Sequence, residues 1–321
     1  LGEYMADHMR KLGRVFIQSE SETAAINMVI GGAATGARVM TSSSSPGISL
    51  KQEGISFLAG FELPAVIVNV MRGGPGLGNI APAQGDYFQA TRGGGHGDYR
   101  TPVFAPASVQ EIADLTYNAF NVADKYRTPV MMLSDGMMGQ MKEPVVFPEP
   151  VGTLPEKEWA LRGRGDGPSR YLCSLILDAM EMERHNWKLV RKYGEIEKNE
   201  IRYEEYMLDD AEIVVIAYGT TARIAKGAIK RVRKDGVKAG LLRPITLWPF
   251  PRKALADLAT RIRQFVVFEM STGQMLEDVQ IALAGKADIV FHGRPGGVVP
   301  TPVEFARIIY REYQKTAKIQ L

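Results

Sequence analysis

A chain of 321 residues, with 45% hydrophobic and 23% charged residues, is long enough for two globular domains with their own cores. Its net charge of +3, from 39 basic and 36 acidic residues, gives no reason to expect a nucleic-acid partner. Because no apolar run approaches the roughly 20 residues of a membrane span, we expect no membrane partner either.

The first 36 residues predict a strand and a helix. The chain begins at Leu1 inside a helix-like phrase, without an initiator methionine, so we expect a natural amino-terminal segment before it. Residues 14–17 predict a short strand. Ser19 or Ser21 then suits the N-cap of a helix over residues 23–36, whose Ala, Ile, Met and Gly content is typical of a helix buried on most sides.

The next elements predict a parallel sheet. We expect a strand over residues 38–42, a helix over residues 50–61 and a strand over residues 65–71. The last of these is continuously apolar, as is typical of a parallel strand covered on both faces.

A long loop separates this strand from the rest of the first domain. The loop covers residues 72–106, and loops of such length are often functional. An amphipathic helix over residues 108–126 and a strand over residues 129–134 follow. The alternation of strands and helices predicts an α/β fold.

A change in composition marks the route to a second domain. Residues 144–168 are rich in Pro, Gly and charge, and residues 175–206 predict a long charged helix. Further strands are predicted at residues 212–218, 237–242, 264–269 and 289–291, with a closing helix over residues 302–319. We therefore divide the chain into residues 1–206, which include the linker helix, and residues 207–321.

Cysteine usage limits the redox chemistry of the chain. Cys173 is the sole cysteine in the sequence, and we expect it to be a small buried residue. One cysteine cannot form an internal disulfide, and an iron–sulfur cluster needs about four thiolates. The composition therefore predicts a reducing, cytoplasmic compartment.

Glu22 is the first candidate for chemistry. A glutamate in the first turn of a helix can simply stabilise the helix amino terminus. Alternatively, a carboxyl group among apolar neighbours can share a proton with the nitrogen of a heterocycle. Glu20 offers the same chemistry two positions earlier, so the residues alone leave both readings open.

Arg72 and the polar tetrad at residues 42–45 are the other candidates. Arg72 ends an apolar strand, so it can form a surface ion pair or clamp a substrate carboxylate through its planar guanidinium. The four serines precede Pro46-Gly47, which is typical of both a turn and a ligand loop.

Two glycine-rich phrases do not predict ligand sites. Residues 93–97 lack the Lys-Ser/Thr of a phosphate loop and the strand-then-helix setting of a dinucleotide site, so His96 is expected to be structural or to lie at an interface. Gly165-Asp-Gly167 resembles a diphosphate and Mg²⁺ motif, but no strand precedes it and no Asn follows at a suitable distance. We therefore assign no metal site to this chain.

Several phrases in order resemble the alpha subunit of 2-oxoacid:ferredoxin oxidoreductases. In the first 100 residues they are Gln18-Ser-Glu-Ser-Glu-Thr-Ala-Ala, Gly32-Ala-Ala-Thr-Gly-Ala-Arg, Thr41-Ser-Ser-Ser-Ser-Pro-Gly, Arg72-Gly-Gly-Pro and Gln84-Gly-Asp-Tyr-Phe-Gln-Ala-Thr-Arg-Gly-Gly-Gly-His-Gly-Asp. Two phrases in the second half resemble the transketolase carboxy-terminal domain: Ile216-Ala-Tyr-Gly-Thr and Gly240-Leu-Leu-Arg-Pro-Ile-Thr-Leu-Trp-Pro-Phe.

This resemblance implies a fold and a set of site residues. Residues 1–206 would be a pyrimidine-type thiamine diphosphate-binding domain, and residues 207–321 a transketolase carboxy-terminal-like domain. By its distance from the Gly32 phrase, Glu22 rather than Glu20 matches the glutamate that activates the cofactor by contacting its pyrimidine ring. The resulting ylid would attack the 2-keto carbon and release CO₂. Ser44 and Ser45 match the loop beside the cofactor, and Arg72 matches the arginine near the substrate carboxylate.

The resemblance also implies partner chains. The diphosphate and Mg²⁺ motif is absent here, so a beta subunit would supply it. Iron–sulfur clusters would lie on other subunits, and ferredoxin-like and gamma subunits, ferredoxin and coenzyme A would be further partners. The family's amino-terminal Tyr-Pro-Ile-Thr-Pro-like phrase, with a substrate-contacting Thr, would precede Leu1.

The phrase Gly76-Leu-Gly-Asn-Ile-Ala-Pro resembles the 2-oxoisovalerate type more than the 2-oxoglutarate type. The sequence therefore favours 2-oxoisovalerate as substrate, with 2-oxoglutarate next. Two alternatives share the predicted domains: a beta-type subunit of a 2-oxoacid dehydrogenase or transketolase relative, and a non-catalytic structural subunit.

Overall fold

Two five-stranded sheets form the framework of the computed structural model, which describes residues 2–149, 154, 156–165 and 167–319. The strands are β1 Met40–Ser43, β2 Ala65–Met71, β3 Val103–Phe104, β4 Pro129–Asp135, β5 Tyr203–Tyr206, β6 Ile213–Ile216, β7 Ala239–Pro244, β8 Thr246–Trp248, β9 Gln264–Glu269 and β10 Asp288–Gly293. The helices are α1 Gly2–Met9, α2 Glu22–Ala34, α3 Ser45–Gly60, α4 Tyr87–Arg92, α5 Val109–Tyr126, α6 Gly136–Gln140, α7 Ala179–Asn199, α8 Gly219–Lys234, α9 Arg252–Leu258, α10 Gln274–Leu283 and α11 Pro302–Ile319.

The first sheet has the strand order β1-β2-β4-β3-β8. Strands β1 to β4 are parallel, so their carboxyl ends meet at one edge, and β8 pairs with β3 in the antiparallel sense. The central strand β2 is apolar and largely buried, as predicted. Ligands of open α/β sheets bind at this carboxyl edge, where Ser43 and Arg72 lie.

Helices α2 and α3 cover the sheet beside β1 and approach each other closely. A Cβ atom at Gly54 of α3 would lie 2.5 Å from the side chain of Ile26 on α2, so only glycine allows this approach. Both helices begin at the carboxyl edge of the sheet. Their close packing brings Glu22, at the start of α2, next to the start of α3.

The second sheet has the order β10-β9-β6-β7-β5, with four parallel strands and an antiparallel β5 at one edge. Helices α8 and α11 cover one face through an apolar cluster that includes Phe268 and Phe305, whose rings stack 3.7 Å apart. The prediction of α/β architecture in both halves of the chain is therefore confirmed.

The two sheets exchange strands across the predicted domain division. Strand β5 precedes residue 207 but pairs with β7 of the second sheet, whereas β8 follows it but pairs with β3 of the first. Gln84 adds a buried link, because its side chain donates to the carbonyl oxygen of Tyr218 and accepts from the backbone N–H of Met270. The division into residues 1–206 and 207–321 stays a prediction.

Some predicted elements are wrong. Residues 14–17 have no strand partner and are irregular, with Val15 and Ile17 exposed. The helix predicted over residues 175–206 covers only Ala179–Asn199, because residues 203–206 pair with β7 instead.

Other elements were missed or misplaced at their ends. The helix predicted from residue 50 begins at Ser45, since Pro46 suits the first turn of a helix. The predicted loop at residues 72–106 contains α4 and the two-residue β3. Cys173 is partly exposed rather than buried. No helix in the described ranges has the length and apolar character to cross a bilayer.

Candidate active site

Glu22 occupies the first turn of α2, and Ser21 is the N-cap that sets the start of this helix. The Ser21 hydroxyl accepts a hydrogen bond of 3.2 Å from the backbone N–H of Ala24, which confirms one of the two predicted caps. Glu22 is half-buried, whereas Glu20 is exposed and accepts a hydrogen bond from its neighbour Ser21. The structure therefore separates the two acidic residues that the sequence left open.

The Glu22 carboxylate faces the junction of β1 and α3. Ser43 Oγ donates to Glu22 Oε1 over 3.3 Å. A Cβ atom at Gly47 would lie 2.6 Å from the same oxygen and 2.0 Å from Ser43 Oγ. Glycine at position 47 therefore leaves the space that the carboxylate occupies, and Oε2 makes no hydrogen bond to any described residue.

Lys51 lies beneath this junction, one turn and a half into α3. Its Nζ donates to Thr41 Oγ1 over 2.7 Å and to the carbonyl oxygen of Ser42 over 3.2 Å. Burial lowers the pKa of Lys51, and the charge of Glu22 opposes that shift. An ammonium group therefore stands behind the strand end that carries Ser43.

Ser45 joins the start of α3 to the end of β2. Its Oγ donates to Asp86 Oδ2 over 2.6 Å and accepts from the backbone N–H of Arg72 over 3.0 Å. Asn69 donates to the same Asp86 oxygen and accepts from the backbone N–H of Ser45. Ser44 is half-buried at the N-cap of α3, where its hydroxyl makes no capping bond.

Arg72 lies at the end of β2 with part of its guanidinium unused. Nη2 donates to the carbonyl oxygen of Leu77 over 3.0 Å, and the buried Nε has no partner in the described structure. No carboxylate of a described residue lies within ion-pair distance of Arg72, so the surface ion-pair alternative is not realised within the described part of the chain. The free N–H groups suit a bidentate acceptor such as a carboxylate.

A short, well-ordered loop extends from Arg72. The backbone N–H of Gly73 bonds to the carbonyl oxygen of Ala81, and Asn79 bonds to the carbonyl oxygen of Gly296 in the second domain. Leu77 and Ile80 are 83% and 90% exposed in this loop. The loop that contacts the guanidinium through the Leu77 carbonyl oxygen therefore also exposes two large apolar side chains to solvent.

Four residues of the site escaped the sequence analysis as individuals: Gly47, Lys51, Asn69 and Asp86. Gly47 and Asp86 stood inside phrases already quoted, so the only missing information was which elements they contact. A lysine in a predicted helix is normally expected at the surface, and nothing in the sequence indicated that Lys51 is buried. Ser43, rather than Ser44, makes the contact with Glu22.

The glycine-rich phrases take no part in this arrangement. The backbone N–H groups of Gly94 and Gly95 bond to Gln52 and Tyr99, and His96 is exposed. Asp166 lies outside the described residues. Within the described ranges, no group of His, Cys, Asp and Glu side chains could hold a metal ion.

Comparison with known families defines the class. The thiamine diphosphate-binding domain of pyruvate flavodoxin/ferredoxin oxidoreductases matches residues 1–171, and core domain II of pyruvate:ferredoxin oxidoreductase matches residues 211–305. The two matches follow one another along the chain, the first over β1 to β4 and the second over β6 to β10. The chain belongs to this family, the 2-oxoacid:ferredoxin oxidoreductases, and is a subunit of such an enzyme.

Two relatives from the same organism are similar to most of this chain. The chain is 56% identical over 287 residues to the ketoisovalerate oxidoreductase subunit VorB of Methanothermobacter thermautotrophicus, which covers 89% of this chain and 81% of that protein. It is 36% identical over 339 residues to the 2-oxoglutarate synthase subunit KorA of the same organism, with coverages of 97% and 90%. These matches confirm the family resemblance predicted from the ordered phrases.

Solved structures share the fold. A 2-oxoglutarate:ferredoxin oxidoreductase from Magnetococcus marinus superposes with a TM-score of 0.83 at 24% identity, over 97% of this chain and 59% of that one. A split-gene transketolase superposes with a TM-score of 0.58 at 14% identity, over 94% and 84%. The chain thus spans about three-fifths of the Magnetococcus chain, and these likenesses establish architecture alone.

Proposed function

We propose that this chain is the alpha subunit of a thiamine diphosphate-dependent enzyme that oxidatively decarboxylates 2-oxoisovalerate to an acyl-CoA and passes the electrons to ferredoxin. The observation that carries the substrate assignment is the identity of 56% to a ketoisovalerate oxidoreductase subunit, against 36% to a 2-oxoglutarate synthase subunit. The apolar loop residues Leu77 and Ile80, next to Arg72, support a branched aliphatic substrate.

The residues at the carboxyl edge fit the pyrimidine end of the cofactor. Glu22 Oε2 has no hydrogen-bond partner in the described structure, while Oε1 is held by Ser43. Gly47 keeps the space in front of this carboxylate free of a side chain. Thiamine diphosphate, when bound, supplies a ring that accepts the electron pair left by decarboxylation.

Glu22 is the catalytic residue in this proposal. Its carboxyl group shares a proton with a pyrimidine nitrogen, and Ser43 fixes the orientation of the carboxyl group. General acid–base groups require hydrogen-bond reach to the proton that they move, and a half-buried position restricts competing water. Ser44 and Ser45 provide the loop beside the cofactor.

Arg72 binds the carboxylate of the 2-oxoacid. The buried, unpartnered Nε and the remaining N–H groups are the free donors of a planar fork. Ser45 holds the backbone of Arg72 from behind and is itself held by Asp86. The bond from Nη2 to the carbonyl oxygen of Leu77 restricts the fork itself before substrate arrives, which reduces the ordering cost of binding.

Other subunits complete the enzyme. A beta subunit carries the diphosphate and Mg²⁺ motif, and ferredoxin-like and gamma subunits carry the iron–sulfur clusters and contacts to coenzyme A. The sole cysteine, Cys173, supports placing the clusters on other chains. We place the assembly in the cytoplasm.

Reconstitution with the partner subunits tests this function. The complex is assayed for thiamine-dependent reduction of ferredoxin or a viologen dye with 2-oxoisovalerate, 2-oxoglutarate and pyruvate. We expect the highest kcat/KM for 2-oxoisovalerate and no turnover from the isolated chain. A higher kcat/KM for 2-oxoglutarate would reassign the substrate, and lipoyl-dependent transfer without dye reduction would place the chain in the dehydrogenase branch.

A further inference from the structure

Lys51 is a buried ammonium group that the proposed chemistry does not use. The residue is only 1% exposed and lies in α3 between the buried Ile48 and Ile55. Burying a charge is costly unless it is paired and hydrogen-bonded. A lysine in such a position therefore calls for an explanation beyond the packing of the helix.

Its direct contacts are neutral oxygens. Nζ donates to Thr41 Oγ1 and to the carbonyl oxygen of Ser42, and no carboxylate of a described residue comes within ion-pair distance. Burial lowers the pKa of Lys51, while the negative charge of Glu22 raises it. The carboxylate that interacts with the positive charge of Lys51 is therefore Glu22, across the junction of β1 and α3, and not a carboxylate in direct contact.

The charged surroundings of Lys51 are simple. Glu22 acts on it from α2, whereas β1 presents the neutral Thr41 hydroxyl and the carbonyl oxygen of Ser42. Glu53, two positions along α3, is exposed. Glu22 is therefore the carboxylate whose charge acts on Lys51 among the described residues.

The same two hydrogen bonds connect Lys51 to the strand end that carries Ser43. Thr41 and Ser42 are the two residues before Ser43, whose hydroxyl donates to Glu22. A bond from α3 to this strand end restricts where Ser43 can lie. Lys51 is therefore linked to Glu22 in two ways: through its hydrogen bonds to the end of β1, and through the electrostatic interaction between the two side chains.

We propose that Lys51 is a positioning residue for Glu22, which fixes the end of β1 through Thr41 and Ser42 and thereby holds Ser43 against the Glu22 carboxylate. This inference rests on the proposed function of Glu22. It extends the site to a residue that contacts neither cofactor nor substrate.

The test replaces Lys51 in the assembled complex. Lys51→Met removes the charge and both hydrogen bonds with a side chain of similar length. We expect kcat to fall about tenfold while KM for the 2-oxoacid stays unchanged, because Ser43 no longer fixes the Glu22 carboxylate whereas Arg72 keeps its place. We also expect the thiamine diphosphate dissociation constant, measured by calorimetric titration of the apo-complex, to rise about tenfold.

Thermal unfolding separates this role from a structural one. Replacing a buried charge with an apolar side chain is often neutral or stabilising, so Tm of Lys51→Met should be unchanged or higher. Should the variant fail to fold, Lys51→Gln keeps one donor for Thr41 in place of the ammonium group and should show a smaller fall in kcat, again at unchanged KM. Thr41→Val removes one of the two hydrogen bonds of Lys51 to β1, and we expect the same pattern.

Lys157→Met is the matched control. Lys157 is also buried, at 8% exposure, but it pairs with Asp124 near the end of α5, at the opposite edge of the sheet. Its kcat and cofactor affinity should equal those of the wild type. An equal loss in Lys157→Met, or unchanged kcat and affinity in both Lys51 variants, overturns the inference. Loss of activity in Glu22→Gln beside unchanged Lys51 variants would refute this inference alone, whereas retained activity in Glu22→Gln would refute the proposed function itself.

Discussion

The tightest contact of the site joins Glu22, Ser43 and Gly47. A Cβ atom at position 47 would lie 2.0 Å from Ser43 Oγ and 2.6 Å from Glu22 Oε1, closer than any van der Waals contact allows. These three residues come from three different elements, α2, β1 and α3. The position of the carboxylate is therefore a property of how those elements meet, and a single methyl group is enough to disturb it.

Gly47→Ala should lower the rate of the assembled complex by about 100-fold, because the carboxylate or the start of α3 must move by the better part of an ångström. Steady-state assays of the complex measure this loss. Gly31→Ala on α2 is the control, since nothing lies within 4 Å of a Cβ atom there. Equal activity in both variants would show that Glu22 does not need its observed position.

At this scale the sequence pointed to candidate residues, whose catalytic and binding roles stay predictions, but not to their contacts. The ordered phrases led to Glu22, Ser45 and Arg72, and the choice of Glu22 over Glu20 agrees with their different exposure. Lys51 and Asp86 could not be predicted, because their roles arise where α3 and the segment before α4 pack onto strand ends. Long-range packing of this kind leaves no local pattern in the sequence.

Among the elements, the long apolar strands and capped helices were predictable and the short strands were not. Strand β2 is a continuous apolar run, and helix α5 is amphipathic with a Ser108 N-cap. Strands β3 and β8 contain two and three residues and exist because each completes the pairing of a neighbour. Residues 14–17 have a similar local composition but no neighbour to pair with.

Helix α7 is attached to the first domain through a buried glutamate at the end of α3. Glu62 accepts hydrogen bonds from Lys188 and, over 3.0 Å, from Lys192. Burial raises the pKa of Glu62, but the bonds and charges of the two lysines outweigh burial, and the pKa is lowered overall. Ion pairs of this kind lose their contribution when the acid is protonated.

Glu62→Gln should lower the free energy of unfolding at pH 7 by about 2–4 kcal/mol, since it leaves Lys192 buried without a counter-ion. Because the folded pKa of Glu62 lies below the unfolded value of about 4.3, its contribution is complete above that value and is lost as pH falls through the folded pKa. Denaturant titrations should therefore show the difference between wild type and variant shrinking below about pH 4. A difference independent of pH would contradict the role of this ion pair. Glu195→Gln is the control, because Glu195 forms an exposed ion pair with Lys198 on the same helix; it should change the free energy of unfolding by less than about 1 kcal/mol.

Over the whole molecule, the two halves are bound by exchanged strands and by Gln84. Strand β8 of the second half completes the first sheet, and β5 of the first half completes the second. Family resemblance predicted both domains, but a single division point cannot describe strands that cross it. Physically, the exchange makes each sheet incomplete without the other half of the chain.

Gln84→Leu should weaken the association between the two halves of the chain. The Gln84 side chain bonds to Tyr218, Thr221 and Met270, and leucine would remove the acceptor of the buried Met270 backbone N–H. We expect a loss of about 2–4 kcal/mol and a broadened or split transition in scanning calorimetry. Gln280→Ala, an exposed position, is the control; a single transition at the wild-type Tm in Gln84→Leu would show that the strands alone unite the halves.

The whole account depends on the carboxyl group of residue 22 acting on a cofactor shared with a partner chain. The most direct measurement is thiamine-dependent dye reduction by the assembled complex carrying Glu22→Gln, beside Glu20→Gln as the control. We predict that Glu22→Gln assembles normally and loses about 10²–10⁴-fold in kcat, while Glu20→Gln keeps wild-type activity. Wild-type turnover in Glu22→Gln, or an equal loss in both variants, would contradict the account.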